Sequence, residues 1–517
     1  MYKKVLASSI TKTSLTAALV AILSAGKVSA QMSLSGQLRP RAELRDGFSN
    51  LTPTTASPGS FISQRTRLIF GYKWDRLTFG ATVQDVRVWG QDASTISPAD
   101  GNRLMLHEGW ADIVLANKAD TTIKFKLVDN LSFKIGRQEL IYDDARLIGN
   151  LDWLQQGRRF DMALLKIVHH GWQIDLGYAY NQNAENNAGT FYTPGNVPQF
   201  IRDSNGELVT TPTGVVPLTI GGSVSANSSA TGTPAYNNPA NSNAGNQNYK
   251  NFVSLYIAKK LNQTKISLLF FKDDFGKYTA TTTPTTNGGF VYGRTFNQKG
   301  TNNRYTLGGM VSPTFGNASG FGKIAVQAAY YHQMGEDRDG KELNAFHYTA
   351  AATYSKGKFT VGPGFDFLSG NKTTTAPNES KRFDPLYGTP HKFWGFMDFF
   401  YAPSGSPAAG LKDYYFKTKF TTNEYSIAAD FHRFDADHSP AAGATKHYAH
   451  ELDVVTSYTL NKFTTIDLGY SHAWATSSLP QAKGLPTTGL DKSPDFAYLM
   501  INIKPDFLFT KPVAIKQ

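Results

Sequence analysis

From Gln31 onward the chain alternates. Leu34, Gly36, Leu38, Pro40, Ala42 and Leu44 fall on one side of an extended backbone, and Ser33, Gln37, Arg39, Arg41, Glu43 and Arg45 on the other. Period two is the signature of a strand with one apolar and one polar face. It recurs at Leu131, Phe133 and Ile135 against Ser132 and Lys134, at Trp172, Ile174, Leu176, Tyr178 and Tyr180 against Gln173 and Asp175, and at Ile324, Val326, Ala328 and Tyr330 against Lys323 and Gln327. Phe346 to Ala352, Tyr425 to Phe431 and Leu452 to Leu460 repeat it. The segments have about the 9–11 residues with which a tilted strand crosses a bilayer.

The connections separate two all-β architectures. Tight turns are expected near 73–75, 169–171, 261–263, 356–358, 421–423 and 461–462. Long polar links are expected at 46–60, 90–103, 139–157, 182–248, 274–303, 335–343, 370–410, 435–446 and 475–494. Short turns alternating with long loops fit a transmembrane antiparallel up-and-down β-barrel, here of about 18 strands, whereas a Greek-key sandwich has no reason to alternate. The apolar face then points to lipid and the charged face to a lumen. Aromatic pairs at strand ends, such as Tyr178 and Tyr180, Tyr330 and Tyr331, Tyr414 and Tyr415, and Phe399 to Tyr401, are expected to form interfacial girdles.

Residues 1–30 read as an export signal, with Lys3 and Lys4 before the apolar stretch Leu15 to Ala25 and Val28-Ser29-Ala30 as a small-residue cleavage site. The remainder, 31–517, reads as one outer-membrane barrel domain of a Gram-negative cell, with a long polar loop at about 182–248. No apolar run is long enough for a transmembrane helix. The chain has no cysteine, and aromatic residues make up 13% of it. Loss of Lys3, Lys4, Lys12 and Lys27 with the signal lowers the formal charge from +12 to +8, which leaves the mature chain basic.

Much of that charge falls in the first third. Arg39 and Arg41 share a face of the first strand, Arg65 and Arg67 share a face of its expected neighbour, and Arg87, Arg137, Arg146, Arg158 and Arg159 follow. Like charges opposed across a ladder are destabilising, so they need interleaved acids or an anionic solute. Glu43, Glu108, Asp112 and Asp161 are available as acids. One reading is an arginine-lined path that selects anions through a focused positive potential; the other is a wall braced by ion pairs. Trp89, Trp110 and Trp153 are candidates for stacking on sugar rings.

The central order GRQEL (136–140), Asp143-Asp144 before ARL, Asp152-Trp153, and GRRFD (157–161) resembles the signature of the alginate export family of outer-membrane barrels. QRTRL at 64–68, QDVRVWGQ at 84–91, EGWADIVL at 108–115 and HKFWGFMD at 391–398 extend the resemblance. It implies an eighteen-stranded channel passing an anionic exopolysaccharide through an arginine-rich constriction. Carried over by position, Arg65, Arg67, Arg137, Arg146, Arg159 and Asp161 line the path, joined by Arg39, Arg41, Arg87 and Glu108.

The expected function is passive passage of an alginate-like polyuronate or other anionic solutes. A diffusion porin for small acids is the alternative, and a barrel enzyme or surface-binding protein a more distant one. No catalytic residue, metal or cofactor is expected. Asp430, His432, Asp435, Asp437 and His438 are the densest titratable cluster, but they read as a solvated outer rim without a matching nucleophile. His447 and His450 fall on opposite faces of a regular strand and cannot both chelate. Expected partners are the solute, outer-membrane lipid, the barrel assembly machinery and a periplasmic accessory protein. A monomer is expected, and nucleic acid is not.

Overall fold

The computed structural model describes residues 30–90, 104–181, 197–219, 233–234, 249–317, 319–400 and 406–509. The expected signal, apart from Ala30, and most of the 182–248 loop lie outside them. Eighteen antiparallel strands close into a barrel. The first seven are β1 (Gln31–Asp46), β2 (Gly59–Trp74), β3 (Leu77–Val88), β4 (Leu104–Asn117), β5 (Asn130–Gln138), β6 (Phe160–His169) and β7 (Trp172–Tyr180). Asn251–Leu261, Thr264–Gly276, Thr301–Asn317, Gly322–Glu336, Glu342–Lys356 and Phe359–Leu368 continue the wall, followed by Leu411–Thr421, Tyr425–Asp435, His447–Asn461 and Thr464–Ala475. The last strand, Asp495–Ile503 continuing as Asp506–Phe509, pairs with β1 and removes the sheet edge.

Alternation orients every strand. On β1, Gln37, Arg39, Arg41 and Glu43 are buried inward, while Leu38 and Leu44 are exposed outward. Leu68, Leu106, Ile135, Leu176, Leu268, Leu307, Phe416 and Leu499 continue the exposed apolar outer surface. In water such a surface would be penalised; facing hydrocarbon it is not. Tyr178, Tyr180, Tyr330 and Tyr414 stand on it, as expected of girdle residues. Tyr331, Phe399 and Phe400 do not: they are buried inside the barrel, which corrects that part of the girdle expectation.

All six expected tight turns are present, and all nine long links emerge at the opposite rim. Two of those links fold inward. Residues 139–159 and 369–410 meet at a parallel bridge between Ile148 and Tyr387. Tyr387 N–H donates to the Leu147 carbonyl (2.9 Å), Gly149 N–H to the Tyr387 carbonyl (3.0 Å) and Thr389 N–H to the Ala145 carbonyl (2.9 Å). Around this junction Tyr142, Leu147, Ile148, Phe383, Tyr387, Trp394 and Met397 pack against the inward aromatics Phe160, Tyr256, Phe271, Phe434 and Phe496. The core therefore lies inside the barrel, toward the long-loop rim. Two other long links meet each other in a small separate sheet, where Val216 pairs with Arg294.

Candidate pore constriction

Arg39 on β1 stands directly across the ladder from Arg65 on β2, the like-charge arrangement anticipated from the sequence. What makes it tolerable comes from the inward loop. Asp152 accepts from Arg39 Nη1 at 3.2 Å and from Arg65 Nη2 at 2.8 Å. Arg39 Nη2 also donates to the Asp152 carbonyl (2.9 Å), and Arg41 Nη1 to the Trp153 carbonyl (2.8 Å). Gln155 joins the set, accepting from Arg39 Nε (3.1 Å) and donating to Ser63 Oγ (3.0 Å). Burial works to raise the Asp152 carboxyl, but Arg65, Arg39 and Arg67 outweigh it and hold the group below the usual carboxylate range. The Asp152 side chain stays 49% exposed, so the bridged pair borders open lumen.

Local backbone places these groups. Leu151 (φ 52°) and Gly157 (φ 63°) take left-handed conformations on either side of residues 152–156, turning the chain toward the β1–β2 wall. A Cβ on Gly157 would sit 2.9 Å from Arg67 Nη2 and 3.0 Å from His107 Cε1, so only glycine brings the loop this close. Arg67 in turn donates from Nε to Gln84 (2.6 Å) and lies 3.9 Å from Glu139. Trp153 stacks on His391 at 3.8 Å between centroids, with the Arg41 guanidinium 4.0 Å from its ring centre.

Deeper loop contacts use the remaining central arginines. Arg146 is buried and pairs with Asp366 on the wall and with Asp144 at 3.2 Å. Arg158 donates to the carbonyls of Tyr387 and Gly388, tying the two inward loops together. Farther round the wall stands an acidic face, which Arg146 reaches through Asp366. Asp366 and Asp413 face each other across adjacent strands, and His432 lies 2.9 Å from Asp413 and 3.9 Å from Asp453.

Comparison with known proteins places this geometry. Residues 30–182 match the family model described as alginate export. Over this stretch the chain is similar to the alginate export family. The segment contains the whole GRQEL-to-GRRFD signature. A search of curated proteins returns no match. Among solved structures, Pseudomonas aeruginosa OpdO is similar at 11% identity and a TM-score of 0.53, covering 92% of this chain and 98% of its own. Acinetobacter baumannii OccAB4 is similar at 11% and 0.53, covering 93% and 99%. The outer membrane protein opdK of Pseudomonas aeruginosa is similar at 10% and 0.50, covering 92% and 99%. At such identities these likenesses concern the fold. With the family match and the apolar outer surface, the protein is an outer-membrane β-barrel channel and not an enzyme.

The candidate residues of this channel separate into two groups. Arg39, Arg41, Arg65, Arg67 and Arg146 meet around the inward loop, and Glu108 joins them on the inner face, accepting from Glu139 N–H at 3.2 Å. Arg87, Arg137 and Asp161 do not. Arg137 pairs with Asp161 at 2.8 Å on the strand face that carries Ile135, and Arg87 pairs with Asp85 at 2.7 Å on the face that carries Val83. Both pairs therefore stand on the outer surface, at strand ends by the long-loop rim. Charge is tolerated there because its cost falls to about 0–1 kcal/mol near the interface. The half-buried Arg159 reaches the Met105 sulfur at 3.3 Å.

Three groups at the site escape the sequence reading. Gln155 and Asn150 carry no pattern of their own. Lysines on inner strand faces are the second: Lys134 lies 3.8 Å over the inward Trp110 ring, and Lys166 pairs with Asp112 at 2.8 Å. Parity marked these positions as lumenal, but attention to arginine passed over them. The third is the acidic face. His432 lies within the wall rather than on a solvated rim, and a register shift opposite Phe434 and Asp435 brings the His447 and His450 rings within 4.6 Å, against the opposite-face expectation. Among the described residues no group of three His, Asp or Glu side chains is arranged to hold a metal ion.

Proposed function

We propose that this channel passes carboxylate-bearing solutes, with a polyuronate chain as its largest class of substrate. The supporting observation is a charge imbalance at the constriction: Arg39, Arg41, Arg45, Arg65 and Arg67 are opposed there by Glu43, Glu108, Glu139 and Asp152. Guanidinium forks suit carboxylates, and a water-exposed carboxylate bridging two of them is a position that a passing carboxylate would contest. Weak, repeated contacts along the basic wall favour transit over capture. The alginate export match over 30–182 supports the polymer.

A second reading, a porin for small acids, draws on the packed loops. With 139–159 and 369–410 interlocked across the lumen, the remaining path suits monomers better than a chain.

One experiment tests both. Refolded mature protein is placed in a planar bilayer under a salt gradient, with polyuronate and then the free uronic acid added to one side. Anion selectivity with reversible block by the polymer is expected. Block by the monomer alone selects the porin reading, and a cation-selective pore indifferent to both overturns the anion reading.

A further inference from the structure

The turns at the end opposite the long loops are short, with one departure. Turns such as 75–76, 170–171, 262–263 and 357–358 contain two residues each, whereas the link from β4 to β5 runs from 118 to 129. Short turns face the periplasm in barrels of this kind, so this link projects into the periplasm.

Its second half is unpartnered chain, irregular over residues 123–126 and bent at 127–129. Apolar and basic residues alternate from Ile123 to Leu127, Val128 follows, and Ile123, Phe125 and Val128 favour extended chain. Yet among the described residues none of the six makes a backbone hydrogen bond to another backbone group. The base of the link is held. Lys118 N–H donates to the Asp129 carbonyl at 3.0 Å, Arg76 Nε to Asp120 at 3.2 Å, and Ile123 is buried at 7% exposure. Beyond Ile123, Phe125 is 45% and Leu127 75% exposed.

We infer that residues 123–128 are a docking segment that becomes a strand on pairing, edge to edge, with an extended acidic segment of a periplasmic protein. The open row of N–H and C=O groups is a template for an added strand. Charge sets the partner's chemistry. Both acids of the link are engaged, Asp120 by Arg76 and Asp129 by Lys118 and the His170 N–H, leaving Lys124 without an ion-pair partner among the described residues, while the Lys126 ammonium donates to the carbonyls of Asn117, Lys118 and Asp120. A carboxylate opposite Lys124 and apolar side chains opposite Phe125 and Leu127 complete the pair, with Lys126 exchanging the link's carbonyls for a second carboxylate. A lipid surface fits less well, because apolar insertion would strip water from six residues of unpaired backbone.

The test uses the whole refolded barrel in nanodiscs and a fluorescent synthetic peptide alternating glutamate with valine, with heat-modifiable gel migration confirming the fold of each variant. Saturable binding is expected, together with slowed amide exchange confined to residues 123–128. The double change K124E/K126E is expected to weaken binding about tenfold or more and to confer binding of the lysine-valine counterpart peptide. N-methylation of the glutamate peptide is expected to abolish binding. Absence of binding, protection elsewhere, or indifference to the charge reversal overturns the inference. So does quenching of a Phe125→Trp variant by brominated lipid that the peptide does not relieve, which would place the segment in the membrane.

Discussion

The decisive residue is Asp152. Its carboxylate lets two guanidiniums stand opposite one another, and its depressed titration makes the clamp durable. The ion pair is present above the ordinary carboxylate value and is lost only as pH falls through the lowered one. Single-channel conductance is therefore expected to stay level from about pH 7 to 5 and to change below about pH 4. The neutral Asp152→Asn variant, measured by reversal potential, is expected to shift selectivity further toward anions by removing the negative charge nearest Arg39 and Arg65. Unchanged selectivity would mean that the pair only braces the wall. Because Asp152 is half exposed, its removal is expected to cost stability on the order of 1–2 kcal/mol by urea unfolding in lipid, below the value for a fully buried pair.

At the scale of elements, the constriction depends on two loops holding each other. Gly388 lies against the Arg146 carbonyl, where any Cβ would collide with backbone. Gly388→Val is expected to part the 139–159 and 369–410 loops, raise single-channel conductance at least about twofold and admit longer uronate oligomers in liposome swelling assays. The barrel strands should be largely untouched, since only Glu379 and Ser380 of these loops pair with a wall strand, at the end of Glu342–Lys356. Conductance unchanged in a correctly folded variant would show that the open path runs elsewhere.

For the whole molecule, sidedness follows from which rim carries the long links. The absence of native cysteine allows clean labelling. Asn287→Cys, in a long link, is expected to react with an impermeant maleimide on intact cells, and Ala119→Cys only after the outer membrane is permeabilised. The reverse pattern would invert the barrel and remove the periplasmic docking segment with it.

Much of this architecture is written locally. A period of two, read with turn chemistry, determines strands, their lipid-facing side and the alternation of short and long connections, because each depends only on neighbours within about ten residues. The lumenal parity of Arg39, Arg41, Arg65 and Arg67 was legible for the same reason, as was the need for a carboxylate beside them. Which carboxylate was not: Asp152 lies 113 positions from Arg39, in a loop without periodicity, and Glu43 and Glu108 were equally good candidates by sequence. Arg137 and Asp161 were misplaced because a signature motif outweighed parity, which sets them beside Ile135 on the outer face. Tertiary structure alone decided that two polar-looking loops turn inward, bury their aromatic residues and narrow the channel, since that depends on loop meeting loop across the closed barrel.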